Sequence, residues 1–261
     1  VCGQLVQDFA FELGLSPRLQ VLDEPLSVQL LSRCLTSALE GPRSIELEAL
    51  GARLKEFDWR EMVRRVVNEA RVNGLGPAEL PASAERSAAG VLALLGSPEG
   101  QDADALDAGL QQAMEGFLAG AEAAGDQTKG TLEATRRVRE GLAQLKAGRH
   151  LPWSEWLALA ALKVTKASKD AVQPLHAAAA LQDVHPRLHA DLRRAITSVF
   201  ELAAEALALY QEEKRAWGAI DFVDQEVYAL QLLQVPEVRE ELDATLGLVL
   251  VDEFQDTSPL Q

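Results

Sequence analysis

The chain has 261 residues with 25 basic and 40 acidic side chains, a formal net charge of −15 that argues at first against a nucleic-acid partner. A hydrophobic fraction of 48% belongs to a foldable chain, which excludes wholesale disorder. Two cysteines, no apolar run near membrane-span length and no signal-like start exclude secreted and membrane classes and point to the cytoplasm. The predicted elements are nearly all helical. Leu26, Leu30, Leu31, Cys34, Leu35, Ala38 and Leu39 form one stripe, led in by Asp23 and Pro25 and stopped at Gly41-Pro42. Asp58 and Glu61 have capping-box spacing and open a second helix through Met62, Val63, Val66, Val67 and Ala70, which ends at Asn73-Gly74. Turn signals follow at 74–81, 96–100, Gly125 and 148–152.

From Trp153 to Lys169 the spacing predicts one helix with Trp156, Leu157, Ala160 and Val164 on one face and Lys163, Lys166 and Lys169 on the neighbouring arc. His185 and His189 stand four apart with no third metal ligand nearby, and are read as surface histidines; Pro186 marks a helix start. Trp153 and Trp156 suit core packing better than base stacking, and Cys2 and Cys34 suit small core positions. Leu192, Ile196, Val199, Ala203, Ala206 and Tyr210 stay in phase along a long helix. The pattern breaks only at Leu246–Val251, a short run apolar on both faces that suggests a buried parallel strand. Such a strand lacks partners in this chain, so Leu248–Val251 is expected to be strand-like or poorly ordered.

The net charge hides an asymmetry. Residues 1–128 carry 10 basic and 20 acidic side chains, 129–200 carry 12 and 6, and 201–261 carry 3 and 14. A basic middle between acidic ends reopens the question of a nucleic-acid partner.

The chain closes on Val251-Asp252-Glu253-Phe254-Gln255-Asp256-Thr257-Ser258-Pro259-Leu260-Gln261. Adjacent acids after an apolar strand are how nucleotide hydrolases present a magnesium-holding carboxylate beside a group that acts on water. This string resembles the Walker B segment, motif II, of UvrD/Rep-type superfamily 1 DNA helicases. Tyr210 with Lys214-Arg215, Ile220-Asp221-Phe222 with Asp224, and Pro236-Glu237-Val238-Arg239-Glu240 resemble that family's approach to the motif. At the other end, Val1–Val6 and Val21-Leu22-Asp23-Glu24 look like the stretch after its earlier motor motif. The phrase from Ile220 to Leu233 with Pro236–Leu242 looks more like AddA- or RecB-like helicase–nuclease proteins, although Gln225-Glu226-Val227 departs from the commoner pattern.

The resemblance implies roles. Asp252 would hold the Mg2+ of bound ATP, Glu253 would polarise the attacking water, Gln255 would sense the γ-phosphate, and Asp256 would support the loop. It implies a helical accessory subdomain, usually called 1B, inserted in a truncated P-loop (RecA-like) α/β motor domain. The expected fold is mainly α with at most one or two strands near the C-terminus. The expected divisions are a motor segment at 1–40, the accessory subdomain at 41–200 and the return to the motor at 201–261. The basic stretch then acquires a use, with Lys163, Lys166, Lys169, Arg136 and Arg137 as candidate phosphate contacts and Arg139, Arg193 and Arg194 behind them. The implied whole is an ATP-dependent helicase or translocase, 3′ to 5′, acting in DNA repair or recombination. Its expected partners are single-stranded DNA or a duplex junction, and a nuclease or recombination partner subunit.

These 261 residues contain no G-x-x-x-x-G-K-[ST] loop, so the chain alone is expected to bind no ATP or Mg2+ and to show no ATPase activity. The alternative is a non-catalytic helical DNA- or protein-binding module with a degenerate acidic strand end.

Overall fold

A computed structural model describes residues 2–15, 19–55, 58–250 and 255. Among them the chain is mainly α-helical, with twelve helices and one pair of two-residue strands. In chain order these are α1 (Cys2–Asp8), β1 (Gln20–Val21), α2 (Glu24–Leu39), α3 (Pro42–Leu54), α4 (Trp59–Val72), α5 (Leu80–Leu92), α6 (Ala103–Ala123), α7 (Lys129–Lys146), α8 (Trp153–Ala160), α9 (Lys169–Ala179), α10 (Pro186–Trp217), β2 (Ala219–Ile220), α11 (Phe222–Leu232) and α12 (Pro236–Thr245). The chain divides into two compact units. Unit one is Val1–Ser44, Trp59–Ala84 and Ser198–Gln261, and unit two is Ile45–Asp58 and Glu85–Thr197.

In unit one the capping signals act as the sequence indicates. Asp23 accepts the Leu26 N–H at 2.9 Å and opens α2, whose buried positions include Leu30, Leu31, Cys34, Leu35 and Ala38. Arg33 of α2 reaches Glu213 of α10 at 2.8 Å. Strands β1 and β2 pair in parallel, Gln20 with Ala219 and Val21 with Ile220, and so bring together segments far apart in sequence. Val6 of α1, Ile220 of β2, Ala229 and Leu232 of α11 and Val238 of α12 form one apolar core. Of the run expected as strand-like or poorly ordered, Val251 lies outside the described residues and the rest is not a strand. Residues 246–250 join no strand, and Leu248 and Leu250 are 75% and 85% exposed. A strand needs a neighbour for its N–H and C=O groups, and neither β1 nor β2 pairs with this segment.

Unit two is built on α6, α7, α8 and α9. Leu110, Met114 and Phe117 of α6, Val138 of α7, Trp156 and Leu159 of α8, and Leu175 of α9 are buried in one cluster, each large side chain worth about 1.5–3 kcal/mol of transfer free energy. Close packing of α6 on α9 depends on a small residue: a Cβ on Gly120 would lie 2.6 Å from the Ala171 Cβ.

Two expectations are corrected here. The helix read from Trp153 to Lys169 stops at Ala160 and resumes only at a 3-10 turn, Lys166–Ser168, that leads into α9. Lys163, Lys166 and Lys169 are therefore not successive positions on one helix, and Leu157 is exposed. The cause is tertiary competition for backbone and side-chain groups. The Leu162 carbonyl is taken by His176 Nε2 at 3.0 Å, and the Thr165 N–H by Thr131 Oγ1 at 3.4 Å. Adjacent β-branched Val164 and Thr165 weaken helix propensity at the same point.

His185, read as a surface residue, is fully buried. Its Nδ1 accepts the Arg187 N–H at 3.1 Å, which leaves Nε2 to donate to Asp107 Oδ1 at 3.2 Å. Its ring meets Trp153 and Trp156 edge-on at 5.0 and 5.3 Å. With both nitrogens satisfied, burying the imidazole leaves no orphaned polar group. Trp153 and Trp156 are core residues, as expected, and Trp153 Nε1 donates to Asp191 at 2.8 Å.

Candidate functional site

Asp252, Glu253 and Asp256 lie outside the described residues, and Gln255 is exposed. What the structure describes is the approach to them. Tyr210, in sequence both a stripe position and part of a motif phrase, converges on one buried network with Lys214, Asp221 and Asp224, in sequence only parts of such phrases. Asp221, 1% exposed, takes the Tyr210 hydroxyl at 2.6 Å, Arg71 at 3.0 Å and Lys214 at 3.2 Å on Oδ2. Its Oδ1 accepts the Asp224 N–H at 2.9 Å, and Asp224 returns the contact to the Asp221 N–H at 2.9 Å, a reciprocal capping box that opens α11. Lys214 also bonds Asp224, so its ammonium sits between two carboxylates, 4.4 Å from the Tyr210 ring centre.

The titration of this group follows from its surroundings. Burial alone pushes Asp221 up, but Lys214, the Tyr210 hydroxyl and the Asp224 amide outweigh it and hold the carboxyl below its ordinary value. Burial wins at Asp224, which is raised despite Lys214, and burial beside Asp221 raises the Tyr210 phenol. A cavity of 310 Å³ adjoins the network, lined among others by Glu79, Gln211 and Arg215. Around it Arg71, Lys214 and Arg215 are matched by Glu79, Asp221 and Asp224, so it exerts no selective pull on an anion. The network serves to lock the turn from α10 through β2 into α11.

The candidate phosphate contacts lie in unit two, and their surroundings differ. Arg136 is held by Glu133 at 2.5 Å and Glu140 at 2.7 Å, and Arg137 grips Glu155 through two bonds of 2.9 Å. Arg193 and Arg194 meet Glu85 and Glu46. Lys163, Lys166 and Lys169 are exposed and form no ion pair among the described residues. They share a segment tied down by Asp126, a residue with almost no signal in the sequence. Asp126 accepts the hydroxyls of Thr128, Thr131 and Thr165 at 2.7, 2.7 and 2.5 Å, the Ser168 hydroxyl at 2.8 Å and the Thr128 N–H at 3.1 Å. The hydroxyls of Thr165, Thr128 and Thr131 hold its carboxyl far below the ordinary range. The only local signal is Asp126-Gln-Thr128 just before a helix, a capping pattern. Its partners beyond position 160 have no sequence signature.

The described residues contain no group of three or more metal-ligating side chains, and no helix among them is long and apolar enough to cross a membrane.

Known proteins similar to this chain include ATP-dependent helicase/nuclease subunits from three bacteria. That of Streptococcus pneumoniae (strain ATCC BAA-255 / R6) is 30% identical over 83 residues, 31% of this chain and 7% of that protein. That of Desulfitobacterium hafniense (strain DSM 10664 / DCB-2) is 48% identical over 56 residues, 20% of this chain and 4% of its own length. That of Oenococcus oeni (strain ATCC BAA-331 / PSU-1) is 47% identical over 49 residues, 19% and 4%. The chain thus covers under a tenth of the length of these relatives. The model of the UvrD/REP helicase N-terminal domain matches residues 1–261, and the chain belongs to that DNA helicase family.

Proposed function

We propose that this chain is the part of an ATP-dependent DNA helicase or translocase, moving 3′ to 5′ in repair or recombination in the cytoplasm, that joins motif II to a DNA-facing helical subdomain. The observation that carries this is the family match over residues 1–261 together with the intact acidic string at 252–256. Unit one, which takes in 59–84 from the range 41–200 expected for the accessory subdomain, corresponds to the motor, and unit two to that subdomain. The helicase/nuclease relatives are named as subunits, which supports a nuclease or recombination partner for the parent protein.

Asp252 is a hard oxygen donor of the kind Mg2+ accepts, and Glu253 beside it polarises the attacking water. Gln255 reports on the terminal phosphate and Asp256 supports the loop. Bound with ATP, Mg2+ supplies charge neutralisation on the phosphates. In unit two, Lys163, Lys166 and Lys169 meet DNA phosphates, while the guanidinium groups of Arg136 and Arg137 are already engaged by carboxylates.

The test is binding of the chain to a fluorescent oligonucleotide with a duplex junction, across a salt series. Substituting Lys163, Lys166 and Lys169 together by Glu is expected to weaken binding and to reduce the slope of log K against log salt by about 2 to 3. Equal affinity and equal slope overturn the DNA-facing assignment. The chain is expected to show no ATPase activity, and a rate abolished by Asp252→Ala would contradict that.

A further inference from the structure

Twelve basic side chains lie in 129–200, and the structure sorts them. Arg136, Arg137, Lys146, Arg187, Arg193 and Arg194 each meet a carboxylate. Lys129, Lys163, Lys166, Lys169, Arg139 and Arg149 are exposed and form no ion pair among the described residues. Arg139 lies ten residues along α7 from Lys129 and Arg149 beyond its end, whereas the four lysines stand beside the Asp126 hub. Lys129 follows Thr128, Lys166 follows Thr165 and Lys169 follows Ser168, each of which bonds Asp126. Lys163 joins them through the backbone, its carbonyl lying 3.8 Å from where a Cβ on Gly130 would be. Two segments 39 residues apart at Asp126 and Thr165 are thus clamped into one platform carrying four ammonium groups.

The chemistry of the clamp matters as much as its position. Asp126 is 9% exposed and is answered by hydroxyls and one amide, with no cation against it among the described residues. Hydroxyl donors satisfy the carboxylate without consuming a lysine, so the four side chains remain directed to solvent. A platform ordered before binding avoids the entropic cost of ordering it on a phosphate strand.

We infer that Asp126 is a positioning residue that spaces Lys129, Lys163, Lys166 and Lys169 as one surface for the sugar–phosphate backbone of a DNA strand. The inference rests on the reading of unit two as DNA-facing, and adds to it the fourth lysine and the residue that arranges the set.

Asp126→Asn separates the possible origins of an effect. It keeps the shape of the side chain but removes a negative charge, so Coulomb attraction alone would make DNA bind more tightly. Loss of positioning does the opposite. Titrated with the same labelled junction oligonucleotide, the Asn variant of the 261-residue chain is expected to bind about fivefold more weakly, with a salt slope lower by about 1. Tighter or unchanged binding overturns the positioning role. If Asp126→Asn loses its helical circular dichroism, Thr165→Val takes its place: it removes one hydroxyl and no charge, and must weaken binding in the same direction. Lys129→Glu must lower both affinity and slope, and if it changes neither, the four-lysine surface is wrong. If the lysine triple variant binds like wild type, or wild type fails to bind even at low salt, the DNA-facing reading falls and this inference with it. If the triple weakens binding but Asp126→Asn does not, the positioning role alone is refuted.

Discussion

Two buried acids organise the two units, and they are satisfied in opposite ways. Asp221 in unit one gathers two cations, Arg71 and Lys214, with the Tyr210 phenol and one amide. Asp126 in unit two gathers four hydroxyls and one amide. Around Asp221 the charges cancel in the interior: Arg71 and Lys214 face Asp221 and Asp224. That arrangement fixes the turn into α11 but presents no net charge to a ligand. Around Asp126 the basic side chains take no part in satisfying the acid, so they stay available at the surface. A carboxylate paired with cations therefore makes a lock, and one paired with hydroxyls makes a platform. The difference accounts for an acidic chain whose basic side chains do not all have the same use.

The comparison is tested most severely at Lys214. It is 5% exposed and bonded to two carboxylates, so Lys214→Met strands buried negative charge and is expected to cost about 3–5 kcal/mol. The loss is read as faster hydrogen exchange in peptides covering 203–232 and a lower urea midpoint. Asp224, already raised by burial, becomes the site that takes up a proton. A raised carboxyl is stabilising when protonated and loses that contribution as pH rises through its folded value, so the deficit of the Met variant must be smaller at pH 5 than at pH 8. An equal deficit at both would show that the cluster does not hold its charges as described. Tyr210→Phe should cost less, about 1–2 kcal/mol, because Asp221 keeps three other donors. No change in exchange of the same peptides would remove the hydroxyl from the lock.

How much of this is legible in sequence depends on how local each cause is. The start of α2 at Asp23 and its buried stripe follow from capping and periodicity within a few residues. So does the length of α10 through Tyr210. The end of α8 at Ala160 does not, because the groups that divert the chain, His176 and Thr131, lie 14 and 34 residues away from their partners. His185 misleads for the same reason: its burial depends on Asp107, 78 residues earlier, and on two Trp edges. The candidate site shows the same split. The acids at 252 and 253 are read from a contiguous string, and the motif phrases around Tyr210 and Asp221 are visible as words without a role. Arg71, 150 residues before Asp221, has nothing in its own neighbourhood to announce that contact. The charge asymmetry draws attention to 129–200, but it cannot separate the side chains left free, such as Lys163 and Lys166, from those already paired, such as Arg136 and Lys146.

The mildest test concerns the acid side of the titration, where the two hubs should part. The carboxyl of Asp126 is held down chiefly by the Thr165, Thr128 and Thr131 hydroxyls, and in the unfolded chain it returns to a pKa of about 3.9. A depressed carboxyl stabilises the fold above its unfolded pKa and loses that contribution as pH falls through the folded value. The stability gap between wild type and Asp126→Asn should therefore be constant from about pH 7 to pH 5 and should narrow below about pH 4. Asp224 works in the other direction, but it is present in both proteins and cancels from the difference. Urea unfolding of the pair at successive pH values measures the gap directly. A gap that stays constant on acidification would mean that the hydroxyls bond the protonated acid as well as the carboxylate, and the platform would then owe its order to something other than the charge of Asp126.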